Sequence, residues 1–117
     1  MGMDVAIDVV DDGVPISVFQ KVFDYLREVD AKFSTYKKDS EISKLNDGLI
    51  SLNDLSSEMQ EVFDLSRETA LQTNNFFNIK NRDGKYDPSG LVKGWAIHKA
   101  ANILREHGCK NFMVDIG

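Results

Sequence analysis

Val5, Ile7 and Val9 alternate with Asp4, Ala6 and Asp8, the period of two expected of a strand buried on one face. Asp11-Asp12-Gly13 is a turn signal, and Pro15 suits the first turn of a helix. Ile16, Phe19, Phe23, Leu26, Val29 and Phe33 then recur at spacings of three and four. That pattern predicts an amphipathic helix of about five turns with one apolar stripe. A short second helix is predicted over 40–46, capped by Asp39 or Ser40, with Ile42 and Leu45 turned inward. Residues 49–52 predict a short strand. A third helix is predicted to start near Ser56 or Ser57 and to carry Met59, Val62, Phe63 and Ala70 inward.

Asn74-Asn75-Phe76-Phe77-Asn78 interrupts the helical period, and Asn81-Arg82-Asp83-Gly84 is a second turn. Asp87-Pro88-Ser89-Gly90 opens a last helix, with Ser89 able to cap it and Ala96, Ala100, Ile103 and Leu104 facing a core. Gly108, just after His107, suits the position that ends that helix. Residues 112–116 are apolar enough for a buried strand. Strands do not alternate regularly with helices, so the expected class is α+β, mixed helices on a small sheet. Two or three strands are few for a stable sheet, so further strands are expected from a longer parent chain or a partner.

The chain has 117 residues, enough for one small domain or part of a larger one. We find no repeat, linker or internal boundary, so residues 1–117 are expected to be one continuous unit. Hydrophobic residues make up 42% and charged residues 28%, which argues against disorder and repeat arrays. No apolar run approaches the roughly 20 residues of a membrane helix. Met1-Gly2-Met3-Asp4-Val5 has no basic region and no long apolar core, so no signal peptide is expected in this stretch. A net charge of −5 argues against nucleic-acid wrapping but leaves room for a local anion site. Cys109 is the only cysteine, so neither an internal disulfide nor a cysteine zinc site is available. His98 and His107 are too far apart in sequence to suggest a metal pair.

Three segments hold candidate chemistry. In Asp87-Pro88-Ser89-Gly90-Leu91-Val92-Lys93-Gly94-Trp95-Ala96, two glycines fall in the first turns of a helix, where each costs roughly 1 kcal/mol relative to alanine. Lys93 opposes the helix dipole there. A phosphate or carboxylate would satisfy the lysine and the free N–H groups together. The alternative is an exposed Lys93–Asp87 pair, with Gly94 allowing two helices to pack closely. In the segment from Phe33 to Asn46, Tyr36 sits in a polar loop, where it could stack on a flat ligand or else cover the edge of the core. Asp39, Glu41 and Asn46 read as capping and surface charge. Phe76-Phe77-Asn78 could flank an aromatic ring or anchor its loop in the core.

Together these segments resemble the ApbE family of flavin transferases (FAD:protein FMN transferases). Ser34-Thr35-Tyr36, Ser40-Glu41-Ile42 and Leu45-Asn46 match one signature of that family. Asp87-Pro88-Ser89-Gly90-Leu91-Val92-Lys93-Gly94-Trp95-Ala96 is similar to its Asp-x-Gly/Ser-Gly-Ile/Leu-Ala/Val-Lys-Gly-Tyr/Trp-Ala motif. Met1-Gly2-Met3 resembles a Met-Gly-Thr opening, and residues 111–117 resemble the strand that leads to Gly-Gly-Asp. The sequence departs at Asn75-Phe76-Phe77-Asn78, where the family usually has Gly-Ala-Phe-Asp.

The resemblance implies the N-terminal portion of an ApbE-like (T-fold-like) domain, incomplete in this chain. It implies FAD contacts at Met1, Tyr36, Phe76, Phe77, Asn78, Asp87 and Lys93, with Lys93 near the phosphates, and a Gly90 carbonyl ligand to Mg²⁺. The implied reaction moves FMN from FAD to a Thr or Ser hydroxyl of a target protein and releases AMP. Family members are expected to exceed twice this length, and their downstream His-x-x-Asp-Pro and metal-binding motifs have no counterpart here. The expectation is therefore a fragment or one half of a split protein, inactive without its complement. An FAD-hydrolysing relative and a non-catalytic interaction domain are the competing readings. Family members are commonly exported or lipid-anchored, which leaves location open, the cytoplasm included.

Overall fold

Each predicted helix has a counterpart in the structure, a computed structural model that describes residues 4–74 and 78–116. The order is β1 (Val5–Val9), α1 (Ile16–Phe33), α2 (Glu41–Asn46), a 3-10 turn (Leu52–Asp54), α3 (Ser57–Gln72), α4 (Ser89–Glu106) and β2 (Phe112–Ile116). Four helices and a two-stranded antiparallel sheet make this an α+β fold, as expected. The chain gathers into two compact units. One is Asp30–Val92; the other comprises the described residues before Asp30 and after Val92.

In the second unit β1 pairs with β2, with Val5 opposite Ile116, Ile7 opposite Val114 and Val9 opposite Phe112. The period of two turns these residues to one face, where Ile7, Val9, Phe112 and Val114 pack on a core of Val18, Val22, Ala100, Leu104 and Cys109. The Asp11 carboxylate accepts N–H bonds from Asn111 at 2.8 Å and Lys110 at 3.1 Å, tying the end of β1 to the start of β2. Those bonds, Asn111 first, hold its pKa below the ordinary carboxylate value. Gly108, at φ +85°, ends α4. The N–H of Cys109 returns to the Leu104 carbonyl and that of Gly108 to Arg105, the paired bonds of a Schellman close. The α1 stripe is rotated from the predicted one in its first turns: Ile16 is exposed and Phe19 and Phe23 are half-buried, whereas Val18 and Val22 are buried with Val29 and Phe33.

In the first unit Phe33, Ile42, Leu55, Met59, Val62 and Phe63 are buried. Ser40, not Asp39, caps α2 by accepting from the Ser43 N–H at 3.2 Å. Ser56 caps α3 in the same way, and Glu41 holds that cap by accepting from the Ser56 N–H and hydroxyl, both at 2.7 Å. Glu41 is thus a link between α2 and α3 rather than simple surface charge. The strand predicted at 49–52 does not form. The Leu49 N–H is taken by the Lys44 carbonyl at 2.8 Å, closing α2, and the chain enters the 3-10 turn instead.

Candidate functional site

The loop that follows α1 is held from below by buried serines. The Ser40 hydroxyl donates to the Ser34 carbonyl at 2.6 Å, so the 2.9 Å contact between Ser40 and Ser43 hydroxyls uses the Ser43 proton. Ser34 Oγ in turn accepts from the Tyr36 N–H at 3.3 Å. The base of the loop is thereby fixed, and Lys37, beside Tyr36, pairs with Asp30 at 2.6 Å. Tyr36 is 89% exposed, so it does not cover the core edge.

Tyr36 opens onto a cleft of about 360 Å³ within this unit. Thr35, Lys38, Asn46, Asp47, Lys85, Tyr86 and Asp87 also line it. The volume lies in the ~300–1,000 Å³ range usual for small-molecule sites. A second cleft of about 480 Å³ is mainly apolar, lined by Leu52, Leu55, Phe63, Ile79 and Tyr86. Tyr86 belongs to both walls. Its ring lies 5.1 Å from that of Phe63, centroid to centroid, and 5.4 Å from Lys80 Nζ.

Of the residues singled out from sequence, Tyr36 and Asp87 meet at the first cleft. Asp87 Oδ1 accepts from the Ser89 N–H at 3.1 Å and the Ser89 hydroxyl at 2.6 Å. Asp87 therefore satisfies the first N–H of α4 from outside the helix, the Pro88 carbonyl takes the first helical bonds, and Ser89, expected to be the cap, is the first helical residue. Asn78 is exposed and accepts from the Lys80 N–H at 3.0 Å. Gly90 is exposed in the first turn of α4. Lys93 lies on the next turn, in the other unit, half-buried, and no ion pair among the described residues involves it. Gly94 is exposed, and a Cβ built on it would meet nothing within 4 Å, which removes close helix packing as its reason. Met1, Phe76 and Phe77 lie outside the described residues.

Among the described residues no three His, Cys, Asp or Glu side chains gather as a metal site. Gly90 can offer one carbonyl oxygen, whereas Mg²⁺ takes roughly six. The donor set here fits the ion only as a contributor, and no step below is routed through it. Among the described residues no helix is long and apolar enough to cross a membrane. The sequence reading took Asn46 as capping and surface charge, apart from its place in the Leu45-Asn46 signature, and did not single out Tyr86. The available signal was the Leu45-Asn46 pair itself, a polar amide ending a short helix.

A sequence model of the ApbE family matches residues 1–83. The chain belongs to the ApbE family. Among solved structures it is similar to the flavin transferase ApbE from Vibrio cholerae, with a TM-score of 0.86 and 19% identity over 100% of this chain and 54% of that one. A variant of the same Vibrio cholerae protein aligns with a TM-score of 0.86 and 18% identity, over 99% of this chain and 57% of that one. The apo flavinyl transferase ApbE of Pseudomonas stutzeri aligns with a TM-score of 0.77 and 12% identity, over 97% and 58%. At such identities the likeness is one of fold. The chain spans a little over half the length of these structures, against the expectation of less than half. No curated protein matches it.

Proposed function

We propose that this chain is the FAD-binding part of a flavin transferase that moves FMN from FAD onto a Thr or Ser hydroxyl of a target protein. The observation that carries this reading is the cleft shared by Tyr36 and Asp87 in a chain of the ApbE family. An aromatic ring 89% exposed on a braced loop suits a stacking platform for a flat heterocycle. Lys38 and Lys85 on the cleft walls suit a dinucleotide's phosphates. Lys93 is proposed as a further phosphate contact from its place in the Asp87–Ala96 motif.

The target hydroxyl oxygen attacks the phosphorus of the FMN half. The bond from that phosphorus to the bridging oxygen breaks, AMP leaves, and the hydroxyl proton passes to solvent. Cationic groups lower the barrier by neutralising charge on the transferred phosphate. Mg²⁺ dependence is part of this reading: bound with help from the Gly90 carbonyl and ligands beyond this chain, the ion would supply further neutralisation. Asn78 joins the proposed FAD contacts through its place after the Phe76-Phe77 segment. Activity is proposed of the whole protein, with a flavin acceptor as its partner.

The test incubates the full-length protein with FAD, Mg²⁺ and a Thr- or Ser-bearing acceptor and reads products by mass spectrometry. An FMN adduct on the acceptor is expected. Free FMN and AMP without adduct would make the protein an FAD hydrolase. No saturable flavin fluorescence change would leave an interaction domain.

A further inference from the structure

The side-chain amide of Asn46, at the end of α2, grips the backbone N–H and carbonyl of one residue 40 positions later. Its Nδ2 donates to the Tyr86 carbonyl at 2.8 Å, and its Oδ1 accepts from the Tyr86 N–H at 2.8 Å. Turned over, the amide would set its NH₂ against an N–H and its oxygen against a carbonyl, so the chemistry allows one orientation.

Tyr86 needs such a partner because of its place in a small hairpin. Lys80 and Tyr86 form an antiparallel bridge, flanked by Asn81 N–H to Lys85 carbonyl at 2.8 Å and Asp87 N–H to Ile79 carbonyl at 2.7 Å. Bonds that flank the bridge in this way leave the polar groups of Tyr86 itself pointing off the hairpin's outer edge. Asn46 meets both, as a neighbouring strand would. The hairpin is otherwise closed on itself, with the Lys85 N–H also bound by Asn81 Oδ1 at 3.0 Å.

We propose that Asn46 is the positioning residue of the flavin cleft. By holding the Tyr86 backbone it fixes Lys85, Tyr86 and Asp87 in the cleft that Tyr36 also lines, and so sets FAD affinity. Asn46 and these four residues all line that cleft. The inference rests on the flavin reading above.

The test compares wild-type, Asn46→Ala and Asn46→Asp full-length proteins by FAD fluorescence titration across pH, thermal unfolding and hydrogen exchange at the Tyr86 amide. Asn46→Asp keeps the acceptor for the Tyr86 N–H but sets a carboxylate oxygen against the Tyr86 carbonyl; protonation restores a donor there. Both variants are expected to bind FAD about tenfold more weakly at pH 7, the order set by two neutral hydrogen bonds. Tyr86 amide exchange should quicken in Asn46→Ala. The Asn46→Asp deficit, taken against wild type at each pH, should close as pH falls toward about 4, while the Asn46→Ala deficit stays flat. Equal FAD affinity in all three proteins would overturn the inference and leave the flavin reading intact. A pH-flat Asn46→Asp deficit that tracks the melting temperature would make the clamp merely structural and overturn it too. If wild type binds no FAD, both readings fall. If Asn46→Ala does not fold, the pH profile of Asn46→Asp decides.

Discussion

Replacing Tyr36 by alanine should separate binding from folding. The ring is 89% exposed, so little of its surface is spent on the fold. The backbone N–H of Tyr36 donates to Ser34 Oγ at 3.3 Å, a bond that survives the substitution. Surface changes of this kind alter stability by about 0.5 kcal/mol or less. Removing an aromatic ring on which a base stacks costs roughly 1–3 kcal/mol, or about 5- to 150-fold in Kd. Flavin fluorescence titration of the full-length protein reads the affinity, and urea unfolding of the same samples reads the stability. Tyr36→Phe keeps the stacking face, so it should recover most of the affinity. An FAD Kd within twofold of wild type in Tyr36→Ala would refute the platform argument. A loss of stability of several kcal/mol would refute the other half, because the ring would then be packed in the whole protein.

Lys93→Ala should weaken FAD binding by an order of magnitude or so, the scale of one charge-assisted hydrogen bond, with little change in unfolding midpoint. The opposite pattern, stable affinity and a destabilised fold, would make the lysine structural. Ser40→Ala should cost about 1–3 kcal/mol in urea unfolding, because the buried hydroxyl caps α2 and satisfies the Ser34 carbonyl. The depressed Asp11 carboxylate contributes stability above its unfolded pKa and loses it as pH falls through the lower folded one. Melting temperature should therefore drop below about pH 4 more steeply in wild type than in Asp11→Asn; parallel curves would mean the charge does not matter.

What could be read from the sequence was what depends on neighbours along the chain. Periodicity at Met59, Val62 and Phe63 located α3, and the Ser56-Ser57 pair marked its start because a cap acts on residues two or three further on. Gly108 marked the end of α4 for the same reason, through its positive φ. Where two adjacent residues could do one job, sequence could not choose: Ser40 rather than Asp39 caps α2, and Ser56 rather than Ser57 caps α3. The apolar run at 49–52 misled because its first N–H belongs to the helix before it. The cleft is harder still. Tyr36 and Asp87 were visible as unusual residues, but the surface between them depends on Asn46 and Tyr86, whose pairing no local period encodes. An asparagine ending a helix looks like any other. Its role appears only when a hairpin from later in the chain presents a residue whose two backbone polar groups face outward together. A site assembled in this way is sensitive to residues that need not touch the ligand. The short Leu45-Asn46 signature can therefore matter as much to the cleft as the aromatic ring that also lines it.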